Sequence, residues 1–142
     1  MGDFNGFVSL DEAFDCYEYS KRDYSKTPTH YYCFEKMAFR KINFEMKTPG
    51  VVFINTYETC LQVIDEYLKQ PGMEKYREDF EKAPKKTHNR IVNFLFYFDH
   101  LDGLCSFDRF ELTMVAKILK KWCKLNGLQY LEPETYRPEL IE

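Results

Sequence analysis

No run in this chain approaches the 18–20 consecutive apolar residues of a membrane-spanning helix, so no such span is expected. The first residues, MGDFNGFVSLDEAFD, are acidic where a secretory signal would be basic and then apolar. Gly6 stands where N-myristoylation wants Ser or Thr, which disfavours that anchor as well. Cysteine is present but unpaired in pattern: there are 5, an odd number, with no CxxC. A disulfide framework is therefore not expected, and reduced, largely buried thiols in a cytoplasmic protein are.

Glycine is also sparse. The 6 glycines are scattered among turns and cannot build a phosphate cradle. The sequence contains no G-x-S-x-G elbow, H-E-x-x-H pair or kinase signature. An enzyme with a recognisable local motif is excluded, although one built from dispersed carboxylates stays open. Cofactor motifs are missing too, and none is assigned. The net charge of −3 offers no general attraction to nucleic acid or to an anionic membrane. Repeats, low-complexity tracts and Ser/Gly linkers are lacking, so no internal domain boundary can be drawn.

What is present is 142 residues with 44% hydrophobic and 30% charged side chains, an ordinary globular composition. A chain of 17.1 kDa buries about two thirds of its unfolded surface. Helical spacing dominates the apolar pattern. Ser9 and Glu12 form a capping box before Leu10, Ala13, Phe14 and Tyr17, which predicts a helix over about residues 10–21. Thr27-Pro28 opens a second, whose stripe is Tyr31, Phe34, Ala38, Ile42 and Met46. Residues 51–54, Val-Val-Phe-Ile, could be one short strand, but no convincing partner is visible, and they read as a buried lead-in.

Asn55 and Glu58 cap a third helix that runs to Pro71-Gly72, and a short fourth covers about residues 73–82. Thr87 caps a fifth, apolar nearly all round from Ile91 to Phe98 and hence expected at the centre. In a sixth, Phe107, Phe110, Met114, Ile118, Trp122 and Leu125 face one way, with Asn126-Gly127 as its stop. The expected fold is thus all-α: a single-domain bundle of about six helices over residues 1–131, with an extended tail at 132–142.

Four constellations bear on chemistry. His30-x-x-Cys33 and His100-x4-Cys105 could supply a Cys2His2 zinc set, but inert buried thiols account for them more simply and no metal is assigned. Residues 102–110 have the outline of the second half of a calcium loop. The implied ligand positions hold Phe98, His100 and Arg109, which do not bind calcium.

The basic residues Lys85, Lys86 and Arg90 near one helix start, with Lys117, Lys120, Lys121 and Lys124 on one face of the sixth helix, could meet phosphates. The same spacing describes any solvated face, and lysines suit a helix C-terminus. The aromatic content is the least ordinary feature, at 18% of residues. Five of the eleven tyrosines lie within residues 17–32, and Tyr19, Tyr24 and Tyr32 fall off the apolar stripes. Tyrosine offers large contact area at low entropic cost and is enriched at protein interfaces.

The leading expectation is a small intracellular helical protein that binds another protein, as adaptor, inhibitor or subunit, through Tyr19, Tyr24 and Tyr32. A nucleic-acid-associated protein using the lysine face is the alternative, and an enzyme without a local motif the third reading. Oligomeric state is not readable from the chain.

Overall fold

A computed structural model describes residues 6–43, 48–102 and 105–137. The elements are β1 (Gly6–Ser9), α1 (Leu10–Lys21), β2 (His30–Cys33), β3 (Ala38–Lys41), β4 (Gly50–Val52), α2 (Thr56–Leu68), α3 (Glu74–Lys82), α4 (Arg90–Asp102), α5 (Cys105–Leu125) and β5 (Leu128–Leu131). The fold is mixed α/β, with five helices and two small sheets, and the all-α bundle expected from sequence is wrong.

The error lies mainly in residues 28–46. Their i, i+3, i+4 spacing imitates a helix stripe, yet His30-Tyr31-Tyr32-Cys33 is β2, buried along its whole length. A central strand covered on both faces shows no alternation, so periodicity alone cannot separate it from a helical segment. It pairs antiparallel with β3 and with β4, in the order β3-β2-β4. β4 overlaps the start of the 51–54 run, and its partner lies within the segment whose spacing imitates a helix. Met46, the last residue of that stripe, lies outside the described residues.

The second sheet pairs β1 with β5 in parallel, Gly6 opposite Leu128 and Ser9 opposite Leu131, which brings distant parts of the chain together. Tyr32 joins the two sheets: its hydroxyl donates to the Phe7 carbonyl at 3.0 Å. Two glycines make these approaches possible. A Cβ on Gly6 would lie 2.6 Å from the Tyr32 ring, and one on Gly50 would collide with the Tyr32 carbonyl oxygen.

The helical expectations for α1, α2 and α3 agree closely with the observed elements. The Ser9 hydroxyl accepts from the Glu12 amide at 3.4 Å and the Asn55 side chain from the Glu58 amide at 3.0 Å, so both expected caps form. On α4 the cap is Asn89, which accepts from the Ile91 and Val92 amides, rather than Thr87. That helix is amphipathic: Ile91, Phe94 and Phe98 are buried while Phe96 is 56% exposed. On α5 the buried stripe is Phe107, Glu111, Val115, Leu119 and Cys123; of the expected stripe Phe107 and Trp122 are buried, Phe110, Met114 and Ile118 only partly so, and Leu125 is exposed. A carboxylate in the stripe hid the true register.

Two aromatic clusters fill the core. Tyr67, Phe80, Phe94, Phe98 and Phe107 interlock between the helices. Phe39, Phe53 and Trp122 pack between β3 and α5, where the Trp122 indole N–H donates to the Val52 carbonyl at 3.0 Å.

Residues 132–137 carry no regular structure and lie along α1. The Asp11 carboxylate accepts from the Glu134, Thr135 and Tyr136 amides at 2.9, 3.0 and 3.2 Å, and the Tyr136 ring stacks on Phe14 at 5.2 Å. Partial burial raises the Asp11 pKa, but these three bonds and Arg137 outweigh it and hold the carboxyl below its ordinary 3.8. A group so depressed lends stability above its unfolded value, and that stability fades as pH falls through the lower folded value. The tail should therefore come loose in acid below about pH 4. Amide exchange at Glu134–Tyr136 should rise there, and Asp11→Ala should produce the same exchange at neutral pH. Unchanged protection in both cases would contradict this anchoring.

Candidate functional site

α1 carries a different polar constellation on each side. Toward α5 it presents Tyr17, Glu18 and Lys21, where Glu111 is 5% exposed. The Tyr17 hydroxyl donates to Glu111 Oε2 at 2.7 Å, Lys21 Nζ reaches both Glu111 oxygens at 3.2 Å, and the Cys60 thiol lies 4.0 Å from Oε2. Burial raises the Glu111 pKa even against the neighbouring Lys21 cation. Burial lowers that of Lys21, but Glu111 and Glu18 together outweigh it, so the ammonium is held protonated. A cleft of about 390 Å³ opens above the pair between Glu18, Asp108 and the tail residues Thr135–Arg137.

Toward the β2–β3 hairpin, α1 presents Glu12, Asp15, Cys16 and Tyr19. With His30, Ala38 and Phe39 they line a second cleft of about 420 Å³. His30 is fixed by Ser20 Oγ at 3.0 Å and Thr29 Oγ1 at 2.8 Å, both on Nδ1, and by the edge of the Tyr19 ring. Burial first, and then Lys41, lower its pKa below 6.5 against the opposing pull of Asp23, so the imidazole is neutral at pH 7. Glu12 has no cationic partner among the described residues, and Asp15 receives only the Tyr136 hydroxyl.

The three tyrosines singled out from sequence do not share one environment. Tyr19 is 55% exposed and Tyr24 36% exposed, just beyond the end of α1. Tyr32 is 0% exposed, bonded to Phe7 and packed on Phe34 and Phe39. It belongs to the core and is not available to a partner. Tyr24 also has φ +50, a left-handed conformation that glycine adopts freely and a bulky residue adopts at a cost.

The basic residues are divided as well. Arg90 pairs with Glu81 at 2.9 Å and Asp65 at 3.2 Å, and Lys120 with Glu132 at 2.9 Å. Lys85, Lys86, Lys117, Lys121 and Lys124 are exposed. His30 and Cys33 stand three apart on a strand and so project to opposite faces, while the His100 and Cys105 side chains lie outside the described residues. Among the described residues no group of three or more His, Cys, Asp or Glu side chains is placed to hold a metal. Burial pushes the Cys16 and Cys60 thiols up to about 12 and Cys123 up to about 11, which removes the thiolate that nucleophilic chemistry needs.

The Lys21–Glu111 cluster escaped the sequence reading. Its trace was a glutamate four residues from both Phe107 and Val115, inside the stripe that buries them. No described helix is long and apolar enough to cross a membrane. No known protein family, curated protein or solved structure matches the chain.

Proposed function

We propose that this protein acts by binding another protein, as adaptor, inhibitor or subunit, through the face formed by α1 and the β2–β3 hairpin. The observation that carries this reading is the exposed Tyr19 ring lining a cleft together with Glu12 and Asp15, neither of which has a cationic partner among the described residues. A neutral His30 adds no repulsion. Such a cleft suits a Lys or Arg side chain of the partner, which gains both carboxylates and the face of a ring. Tyr24 extends the same end of α1, and its left-handed backbone supports a role for the side chain, because glycine would relieve the strain. The four cysteines whose side chains are described are buried and unpaired, which accords with a reducing, cytoplasmic setting.

The test is affinity capture from the source cells, followed by binding measurements on the recovered partner. Tyr19→Ala should weaken binding by about thirtyfold, as hot-spot aromatics do, while folding stability changes by less than about 1 kcal/mol. Tyr24→Gly should weaken binding yet leave stability unchanged or higher by up to about 1 kcal/mol, the pattern of stability given up for function. Lys117→Glu with Lys121→Glu is the control and should bind normally. If the tyrosine variants bind normally while the lysine pair abolishes binding, or nucleic acid is recovered, the lysine-face alternative replaces this reading.

A further inference from the structure

The connection between α3 and α4 is pinned by a buried side chain. Asn93, buried on α4, accepts from the Lys86 and Thr87 amides and donates to the Thr87 carbonyl, all at 3.0 Å. The Thr87 hydroxyl accepts from the Asn89 amide at 2.9 Å. This loop is held from beneath, and two adjoining cavities of about 400 and 600 Å³ open beside it. They share Phe80, Lys85, Lys86 and Asn93, so the two lysines stand between them.

The cavities differ in chemistry. One is walled by Pro84, Phe96 and Tyr97, and Phe96 is 56% exposed with no ring contact among the described aromatics. The other is polar, with Glu81, Thr87, His88 and Arg90. Its charges do not cancel. Arg90 is consumed by Glu81 and Asp65. Lys85 is held over the Phe80 ring at 4.8 Å and to the Phe80 carbonyl at 3.4 Å, and among the described residues neither Lys85 nor Lys86 has a carboxylate partner. Two ammonium groups without a carboxylate partner among the described residues, beside an uncovered aromatic wall, suit an anion joined to a flat apolar body. Cavities of this size match small-molecule sites rather than a polymer groove.

We propose that this loop and the start of α4 bind a nucleotide-sized aromatic phosphate, its ring against Phe96 and Tyr97 and its phosphate on Lys85 and Lys86. The proposal is independent of the α1 face. Adenosine 5′-monophosphate is the probe, titrated calorimetrically into the full chain alongside adenosine and inorganic phosphate. Saturable one-to-one binding of the monophosphate is expected, with adenosine and phosphate each at least about tenfold weaker. Lys86→Ala and Phe96→Ala alter exposed side chains and should keep the melting temperature, yet each should weaken the monophosphate severalfold and the pair more than about tenfold. Salt should weaken the monophosphate only modestly, by screening, because a mononucleotide carries no condensed counterions to release. Absence of saturation at millimolar monophosphate overturns the proposal, and so does binding indifferent to both variants. Preference for a single-stranded oligonucleotide, with a salt slope several times steeper, also overturns it and moves these lysines to a nucleic-acid surface.

Discussion

Lys21→Met is expected to cost about 3–5 kcal/mol of folding stability, because it strands the Glu111 carboxylate in the core with its charge uncompensated. The Lys21 and Glu111 side chains are 16% and 6% exposed and their contact is 3.2 Å, so little solvent screens the pair. Methionine keeps most of the apolar stem, so the loss reports charge more than packing. Urea denaturation provides the measurement. The double variant Lys21→Met/Glu111→Leu should recover most of the loss, since an apolar pair of similar volume has no charge to desolvate. The Tyr17 hydroxyl then lacks its acceptor, at about 1–3 kcal/mol, and the Cys60 thiol and the Glu18 carboxylate lose weaker partners.

The pH dependence has a definite sign. Burial raises the Glu111 pKa above 4.5, so its contribution to stability is complete below the unfolded value and declines as pH rises through the folded one. Without Lys21 that decline should be larger. The deficit of Lys21→Met should therefore be greatest at neutral pH and shrink toward pH 4.5. In the unaltered protein the Lys21 contribution persists to about 10.5 and is lost above it as the raised ammonium finally titrates. A deficit below about 1 kcal/mol at pH 7, or one independent of pH, would show that water in the adjoining cleft already solvates Glu111.

Phe94→Ala should cost a similar 3–5 kcal/mol by a different route, the loss of apolar transfer energy together with the cavity left behind. Its ring lies 4.5 Å from Phe98, 4.7 Å from Phe107, 5.7 Å from Phe80 and 6.1 Å from Tyr67, so four aromatic neighbours from three other helices and α4 itself lose a partner. Such a crowded set cannot collapse into the space without abandoning its edge-to-face geometry. The next two residues supply the scale. Leu95→Ala, at a half-buried position, should cost about 0.5–2 kcal/mol, and Phe96→Ala, at an exposed one, less than about 0.5. Equal losses at all three positions would mean that α4 is buried all round, as its composition alone suggests, and would refute the amphipathic placement.

The candidate sites were legible to different degrees. Tyr19 could be picked out as exposed because an off-stripe aromatic on a well-capped helix must leave the core side, whereas Tyr24 lies beyond the end of α1. Tyr32 could not be judged that way, since its stripe belonged to a helix that does not exist. The cluster on Glu111 was invisible because a carboxylate in a helix ordinarily marks solvent, and only the arrival of Lys21 and Tyr17 from α1 makes its burial tolerable. The Lys85–Lys86 loop was seen as charge but not as a cavity, which depends on Asn93 folding the loop back and on Phe96 and Tyr97 forming its other wall.

Caps, turns and the 3.6-residue period are local, and they suffice to place α1, α2 and α3 because Ser9, Asn55 and their partners satisfy helix ends from within a few residues. The sequence by itself also determined that no described helix spans a membrane and that no familiar catalytic motif is present. Strand pairing belongs to the tertiary structure alone. β1 meets β5 only when the rest of the chain folds between them, and β2 is a strand because β3 and β4 supply hydrogen bonds on both its edges while the core covers both its faces. Short apolar segments lack the length to declare a period, so their conformation is settled by the partners that satisfy the backbone, which lie far away in sequence.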